Sequence, residues 1–334
     1  MLTRLSILCA VLITAPVCAT PAYKAVGTVA LGAPDRWDYA VFDAAGHRLY
    51  VAHGDRVAVI DPQHGTVIGS VTGMAGGTHG IAISHATHQG FTDDGRAGVA
   101  VPFALDTFKA GQPIKADDDA DGITFEPVTG HVFVVEGDPG AIAVIDPRTD
   151  KVIATVRAGE KLEYAVAGGG RVFAAGVGSD DLVAIDARTN IVLAHWPTPH
   201  CSKPHGLAYD VARGRLFLGC VNAMMTVVDA HNGKVVTELP IGRGNDAVAY
   251  DPVRRRVFSS NGVDGTISAY QQTDADNYTA LDPIATEVSG RTMTLDPATG
   301  RLFVIAADTD PNPKGGRPIV RPGTVKVLMF DPVR

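Results

Sequence analysis

The sequence predicts an all-β fold, a seven-bladed β-propeller with four-stranded antiparallel blades. A six-residue pattern recurs seven times, further short apolar runs follow most copies, and no long stretch shows a helical apolar period. The copies begin at residues 38, 79, 121, 163, 205, 246 and 291, so the steps are 41, 42, 42, 42, 41 and 45 residues. Four strands of about five residues with their turns fill roughly forty residues, which is typical of a propeller blade.

Each blade is predicted to contain four strands in a fixed order. The first follows an ionisable residue and alternates small and large apolar side chains, as in His205-Gly-Leu-Ala-Tyr-Asp210. The second is an apolar run such as Arg215-Leu-Phe-Leu-Gly219, and the third often ends in Asp, as in Met225-Thr-Val-Val-Asp229. The fourth is a β-branched run such as Lys234-Val-Val-Thr-Glu-Leu239. Turn formers such as Pro147-Arg-Thr-Asp150 separate the strands.

The seventh repeat is one strand short. Only three strands follow Arg291, and the last of them is the run from Thr324 to Asp331. The apolar run from Tyr23 to Leu31 precedes the first repeat and supplies a fourth strand. We therefore expect the two ends of the chain to pair, which closes the ring and leaves no open sheet edge there.

The blade pattern resembles the YVTN-repeat seven-bladed propellers of exported bacterial proteins. The runs "RLYVAHG" and "RVFSSNG", the run "VAVIDP" and the opening "DAVAYDP" carry the resemblance, which covers essentially all of the chain after its first residues. The literal Tyr-Val-Thr-Asn motif is absent, and Tyr50-Val-Ala-His53 is its nearest copy. The resemblance implies the fold and says little about function, because one fold supports many functions.

The N-terminus has the features of a secretory signal peptide. A basic start ending at Arg4 precedes an apolar segment from Leu5 to Ile13, and cleavage is expected after Ala19. This gives two segments, a signal peptide over residues 1–19 and a single propeller domain over residues 20–334. The apolar segment is too short to span a bilayer and no later stretch does so, so we expect a periplasmic or secreted protein.

The composition narrows the range of partners. A formal net charge of −7 and a pI near 5.8 argue against nucleic acid. We expect a monomer whose partner is a small molecule or metal ion in the central funnel, with a periplasmic protein as a further candidate.

Two cysteines remain after removal of the signal peptide, Cys201 and Cys220. In an oxidising compartment such a pair is predicted to form a disulfide, and the predicted hairpin places the two residues close together. The alternative is a zinc or copper site formed by both cysteines with His200 and His205.

The first residues of the seven repeats are expected to converge at one mouth of the central channel. They are Asp38, His79, Asp121, Glu163, His205, Asp246 and Arg291. With neutral histidines this ring contains four negative charges and one positive charge, a net charge of −3. Crowded carboxylates raise one another's pKa unless a cation compensates. We therefore predict a divalent metal ion on Asp38, Asp121, Glu163 and Asp246, or an organic ammonium ion in its place.

Residues at the ends of the second strands would form an outer circle at the same mouth. His53, Asp94, Glu136, Asn222 and Asn261 are its members, and Trp37 beside Asp38 is a further candidate ligand-binding residue. A structural interpretation stands beside this one. An acid at a strand start often binds loop amides, and Arg291 would then simply pair with Asp246 or Asp38.

A long connection in the seventh repeat points to the same mouth. Residues 308–323 separate its second and third strands, where other repeats need only a few residues. The segment includes Lys314, Arg317 and Arg321, so it is either a lid that brings positive charge over an acidic funnel or an exposed loop.

Three classes of function fit these residues. The first is a binding protein or interaction scaffold. The second is a metal-dependent hydrolase or lyase, similar to lactonase propellers, with His205 or His79 as the base and Arg291 stabilising an oxyanion. The third is a redox protein using His53, His79 or His205, although the chain has no Cys-x-x-Cys-His motif. We expect binding, with a divalent metal ion as the candidate cofactor and none that the sequence fixes.

Overall fold

The computed structural model describes residues 22–314 and 316–333, so the predicted signal peptide lies outside the described residues. Blade 1 consists of β2 (Ala40–Asp43), β3 (Arg48–His53), β4 (Arg56–Asp61) and β5 (Thr66–Thr72). Blade 2 consists of β6 (Ile81–Ser84), β7 (Gln89–Asp94), β8 (Val99–Ala104) and β9 (Ile114–Lys115). Blade 3 consists of β10 (Ala120–Glu126), β11 (His131–Glu136), β12 (Ala141–Asp146) and β13 (Lys151–Arg157).

The remaining blades repeat this arrangement. Blade 4 consists of β14 (Leu162–Gly168), β15 (Arg171–Gly176), β16 (Asp181–Asp186) and β17 (Ile191–Pro197). Blade 5 consists of β18 (Pro204–Asp210), β19 (Arg215–Cys220), β20 (Met224–Asp229) and β21 (Val235–Pro240). In blade 6, β22 (Val248–Asp251), β23 (Arg256–Asn261) and β24 (Thr266–Gln272) are followed by β25 (Tyr278–Ala280) and β26 (Ile284–Ala285), which both pair with β24.

Blade 7 takes its strands from both ends of the chain. It consists of β27 (Thr292–Leu295), β28 (Leu302–Ala306), β31 (Val325–Pro332) and β1 (Tyr23–Gly32), in that order. β1 pairs antiparallel with β31, from Tyr23 opposite Pro332 to Gly32 opposite Val325. The predictions of seven blades and of closure by the N-terminal strand are therefore confirmed.

The described residues include almost no helix. Two short 3₁₀ segments, His85–Thr87 and Gly95–Ala97, form turns of blade 2. No helix in the described ranges is long and apolar enough to cross a membrane.

The hydrophobic core lies between the blades rather than within them. Seven separate apolar clusters each join residues of two neighbouring blades. Each cluster includes the aromatic residue near the start of a second strand, at the third position of six strands and the second position of β28: Tyr50, Phe91, Phe133, Phe173, Phe217, Phe258 and Phe303, all 1% exposed or less. Burying one such side chain contributes about 1.5–3 kcal/mol to the free energy of folding. Each blade therefore depends on its two neighbours for its stability.

Cys201 and Cys220 form the predicted disulfide, with their Cα atoms 5.3 Å apart. The alternative thiolate metal site is wrong, because both sulfur atoms are in the disulfide. His200 instead lies against Glu238, with its Nδ1 2.9 Å from a carboxylate oxygen. The disulfide closes a short loop. On the chain-entropy model, a crosslink that closes a loop of this size raises the free energy of unfolding by about 3 kcal/mol.

The long connection of blade 7 folds into a small hairpin. β29 (Thr309–Asp310) pairs with β30 (Ile319–Val320), and Arg321 Nε lies 3.0 Å from the Asp310 carboxylate. The Gly323 amide donates to Asp35 Oδ1 at 2.5 Å, which fixes the hairpin to the segment after β1. In the described part of this loop no hydrogen bond or ion pair reaches the seven predicted ring residues, and its role as a lid stays a prediction.

Ring closure by β1 gives a direct test with a matched control. We predict that Val29→Asp lowers the free energy of unfolding by about 3 kcal/mol or more, because it places a charge in the core between blades 7 and 1. Thr28→Asp places the same charge on the exposed face of the same strand and is expected to change it by less than about 0.5 kcal/mol. Urea unfolding measures both, and an equal effect of the two substitutions would contradict closure by β1.

Candidate functional site

The first residues of the seven repeats lie around one mouth of the channel, at or just before the innermost strands. All seven are half-buried. Backbone contacts hold neighbouring blades in register there: the Tyr39 amide donates to the His79 carbonyl at 3.2 Å, and Thr292 Oγ1 donates to the Asp38 carbonyl at 2.8 Å. We call these residues the mouth ring: Asp38, His79, Asp121, Glu163, His205, Asp246 and Arg291.

Glu163, His205 and Asp246 of blades 4, 5 and 6 converge at one point of the mouth ring. His205 Nδ1 lies 3.1 Å from Glu163 Oε1 and 3.5 Å from Asp246 Oδ1. One ligand atom from each residue lies within 4.8 Å of the others. Nδ1 is buried, yet it makes no well-aligned hydrogen bond to a described residue. Burial opposes the imidazolium, but Asp246 and Glu163 outweigh it and raise the pKa of His205 to about 10.

Arg291 occupies the next position in the ring and is already engaged. It forms an ion pair with Asp246, and its Nη2 donates to the Trp37 carbonyl at 2.7 Å. Its guanidinium carbon lies 5.5 Å from the centre of the Trp37 ring, a cation–π contact. Burial disfavours the charged Asp246, but His205 and Arg291 outweigh burial and hold its pKa below the usual range. Trp37 itself packs into the core between blades 7 and 1.

The carboxyl groups of Asp38 and Asp121 have no such partner. Within the described residues neither side chain accepts a hydrogen bond or forms an ion pair. Burial, with Asp246 and Asp93 nearby, raises the pKa of Asp38 to about 7 although Arg291 and His79 oppose the change. Burial and the Asp38 charge raise the pKa of Asp121 well above its ordinary value. The mouth ring therefore contains two carboxyl groups that need a proton or a cation.

His79 is held by an acid that the sequence reasoning missed. Asp93 is fully buried, its Oδ1 accepts the His79 and Gly80 amides at 2.9 and 2.8 Å, and its Oδ2 lies 2.7 Å from His79 Nδ1. Burial opposes the imidazolium, but Asp93, Asp121 and Asp38 raise the pKa of His79 to about 9. A signal was present in the repeat. The equivalent residues of the other blades are Ala52, Val135, Ala175, Gly219, Ser260 and Ile305, so an acid is the exception at this position.

Two tyrosines meet across the channel beside the mouth ring. Tyr39 of blade 1 and Tyr164 of blade 4 have ring centres 4.3 Å apart. Blades 1 and 4 lie on opposite sides of a seven-bladed ring, so the pair narrows the channel between them. Burial and the Asp38 charge raise the pKa of Tyr164 to about 12, so its hydroxyl stays neutral. An aromatic pair therefore lies across the channel beside the mouth ring.

Most residues of the predicted outer circle bind loop backbone. His53 Nε2 lies 2.7 Å from the Pro34 carbonyl oxygen, and burial lowers the pKa of His53. Glu136 accepts the Asp117 amide at 2.9 Å. The next members behave in the same way: Asp94 accepts the Gly76 amide at 3.0 Å, and exposed Asn222 accepts the Ser202 amide and donates to the His200 carbonyl.

Asn261, the last member of the outer circle, is fully buried. Its amide donates to Ser268 Oγ at 2.9 Å and Thr266 Oγ1 at 3.1 Å. These contacts match the structural interpretation of acids and amides at strand ends. Ligand binding by Trp37, His53, Glu136, Asn222 and Asn261 stays a prediction.

No protein-family model and no curated protein sequence matches this chain. Solved structures match its fold. Hydrazine synthase of Kuenenia stuttgartiensis is 14% identical, with 80% of this chain and 91% of that chain covered at a TM-score of 0.70. The RRP9 WD40 repeats are 10% identical over 93% of this chain and 100% of theirs, with a TM-score of 0.80. A chain of the mitotic checkpoint complex is 16% identical over 98% and 99%, with a TM-score of 0.76. Identities this low show the propeller fold alone.

The contact between His79 and Asp93 predicts a pH-dependent stability. Because the pKa of His79 is raised to about 9 on folding, its stabilising contribution is fully present below about pH 6.5 and is lost as the pH rises through about 9. We predict that NMR titration of metal-free Asp93→Asn shows a His79 pKa at or below the ordinary value near 6.5. His64→Ala, which removes an exposed His–Asp pair, serves as the control and should leave the pKa of His79 near 9. A His79 pKa near 9 in Asp93→Asn would contradict the assignment.

Proposed function

We propose that the protein binds a divalent metal ion in the mouth ring, held by the Glu163 and Asp246 carboxylates and by His205 Nδ1. The convergence of these three atoms is the observation that carries the proposal. They come from three blades, so the ring geometry rather than a local motif fixes their separation. A buried imidazole nitrogen between two carboxylates, without an aligned hydrogen bond, is arranged as a ligand set.

The charge around this position favours a cation. Asp38, Asp93, Asp121, Glu163 and Asp246 give five negative charges when ionised, and protonated His79, protonated His205 and Arg291 give three positive charges, a net of −2. Asp38 and Asp121 contribute two of the negative charges when ionised, and neither forms an ion pair with a described residue. Imidazole with carboxylates suits zinc or manganese better than calcium or magnesium. Three protein ligands would leave a coordination position free for a small molecule.

We further infer that the chain is an exported, divergent member of the YVTN-repeat propellers. The disulfide between Cys201 and Cys220 supports an oxidising compartment. The basic start and the apolar run from Leu5 to Ile13 support export. Scaffolding is the alternative for a mouth that binds nothing, and the mitotic checkpoint complex shows a chain of this fold within an assembly.

One observation favours metal-dependent hydrolase or lyase activity as a second candidate. The buried Asp93 carboxylate fixes His79 through Nδ1, which leaves Nε2 for the substrate in the manner of an oriented general base. A base must be neutral, and a pKa of about 9 keeps His79 protonated at pH 7. A metal ion on Glu163, His205 and Asp246 would add positive charge nearby and lower that pKa. The two candidates therefore use different histidines of one mouth.

Metal binding is tested by titration of the metal-free protein with Zn²⁺ in a calorimeter. We predict Zn²⁺ binding at the mouth that is weakened at least about tenfold by His205→Ala or Glu163→Gln, since even the loss of an outer-shell partner costs that much. Below the raised pKa of His205, binding displaces its proton, so affinity should rise about tenfold per pH unit and lose this slope in His205→Ala. His64→Ala is the control. Unchanged affinity and slope in His205→Ala would contradict the proposal.

The enzyme candidate is tested on the metal-loaded protein with a panel of lactones and esters. We predict that His79→Ala and Asp93→Asn lose turnover by about 10²-fold or more while they keep the metal at the mouth. The control is His85→Ala, a half-exposed histidine paired with Asp43. Turnover that persists in His79→Ala would rule out His79 as the base.

A further inference from the structure

A second set of ionisable residues lies on the same face as the mouth, but at the outer part of blade 4. Asp181 opens the third strand, β16, and His195 lies in the outermost strand, β17, opposite Val183. Glu160 comes from the connection that enters blade 4 just before β14. Strand pairing and a loop thus bring together three residues that are far apart in sequence.

The three side chains converge on one point. His195 Nδ1 lies 3.0 Å from Asp181 Oδ2 and 3.1 Å from Glu160 Oε1. One ligand atom from each residue lies within 4.8 Å of the other two. The Glu160 and Asp181 side chains are each only 8% exposed, whereas the His195 side chain is 40% exposed. Two buried carboxylates therefore face a single imidazole that is open to solvent.

Asp181 has a buried oxygen without a partner. Glu160 Oε2 accepts the Ser179 amide at 2.8 Å, but Asp181 Oδ1 accepts no hydrogen bond from any described residue. A buried acceptor in this state costs about 1–3 kcal/mol. Burial and the adjacent Glu160 carboxyl raise the pKa of Asp181 to about 6 although His195 opposes the change. Among the described residues, His195 is thus the only basic side chain that pairs with these two acids.

A glycine makes room for this arrangement. A Cβ on Gly176 would lie 2.1 Å from Asp181 Oδ1 and 2.7 Å from Glu160 Oε2, so both oxygens occupy the space that any side chain would fill. The equivalent residues that end the second strands of blades 1, 2 and 3 are His53, Asp94 and Glu136. Blade 4 instead has the residue that lets two carboxylates approach.

We propose that Glu160, Asp181 and His195 form a second metal site, for Zn²⁺ or a similar first-row transition metal ion. Three observations support this proposal: the unpartnered Asp181 oxygen, the approach of both carboxylates to Gly176, and the partly exposed imidazole. Imidazole and carboxylate ligands are those that such ions take, and three protein ligands leave an open position towards solvent. This site shares no ligand with the mouth and does not depend on the function proposed for it.

The test uses the full chain with two of the three mouth ligands removed, and this variant, His205→Ala with Glu163→Gln, is the parent protein for the comparison. Calorimetric titration with Zn²⁺ at pH 7 is expected to find one remaining ion per chain. Adding His195→Ala or Asp181→Asn should weaken that binding by at least about tenfold. Because His195 is partly exposed, His195→Ala should keep the melting temperature of the metal-free protein.

Controls separate this site from any surface histidine. His200→Ala removes a more exposed imidazole paired with one carboxylate, and it should leave the remaining Zn²⁺ affinity unchanged. Co²⁺ should give a visible absorption band in the parent protein that adding His195→Ala abolishes. The proposal is overturned if the parent protein binds no Zn²⁺, or if adding His195→Ala or Asp181→Asn leaves Zn²⁺ bound as tightly as in the parent.

Discussion

The pairing of β1 with β31 is the interaction on which the rest of the structure depends. Each apolar cluster joins two blades, so no blade has a complete core alone. The cluster between blades 7 and 1 contains Val29 of β1 together with Val325 and Val327 of β31. Closing that last interface fixes the positions of all seven innermost strands, and the geometry of the mouth follows from it.

Ring closure has an electrostatic consequence at the mouth. Seven strand starts in register bring ionisable side chains within a few ångströms of one another. Some charges are compensated inside the protein, because Arg291 pairs with Asp246 and His79 pairs with Asp93. Asp38 and Asp121 are not compensated in this way, and burial first, with the neighbouring acids second, raises the pKa of each. A bound cation would stabilise the ionised form of both.

The sequence was sufficient for the features that repeat. The period predicted the blades, the shortfall in the seventh repeat predicted closure, and the first position of each repeat predicted the ring. Asp93 was not predicted, because its one signal is that an acid stands where the other repeats have a small or apolar residue. The contact of Glu160, Asp181 and His195 was not predicted for a different reason. It depends on the path of the loop that contains Glu160, and no position of the repeat determines that path.

The structure also decides between the two sites that the sequence suggested for His205. Cys220 lies opposite Pro204 and is bonded to Cys201, and the pairing of β18 with β19 is irregular between Pro204 and Leu207. His205 Nδ1 lies against Glu163 and Asp246. His205, which the sequence offered to the mouth ring and to the alternative thiolate site, therefore belongs to the mouth ring.

Anomalous X-ray diffraction from crystals equilibrated with Mn²⁺ would show whether the mouth ring binds a metal ion. We expect an anomalous peak between the Glu163 and Asp246 carboxylates and His205 Nδ1. Crystals of His205→Ala should lose that peak. A map of the native protein with no peak among these three residues would rule out the proposed metal site at the mouth.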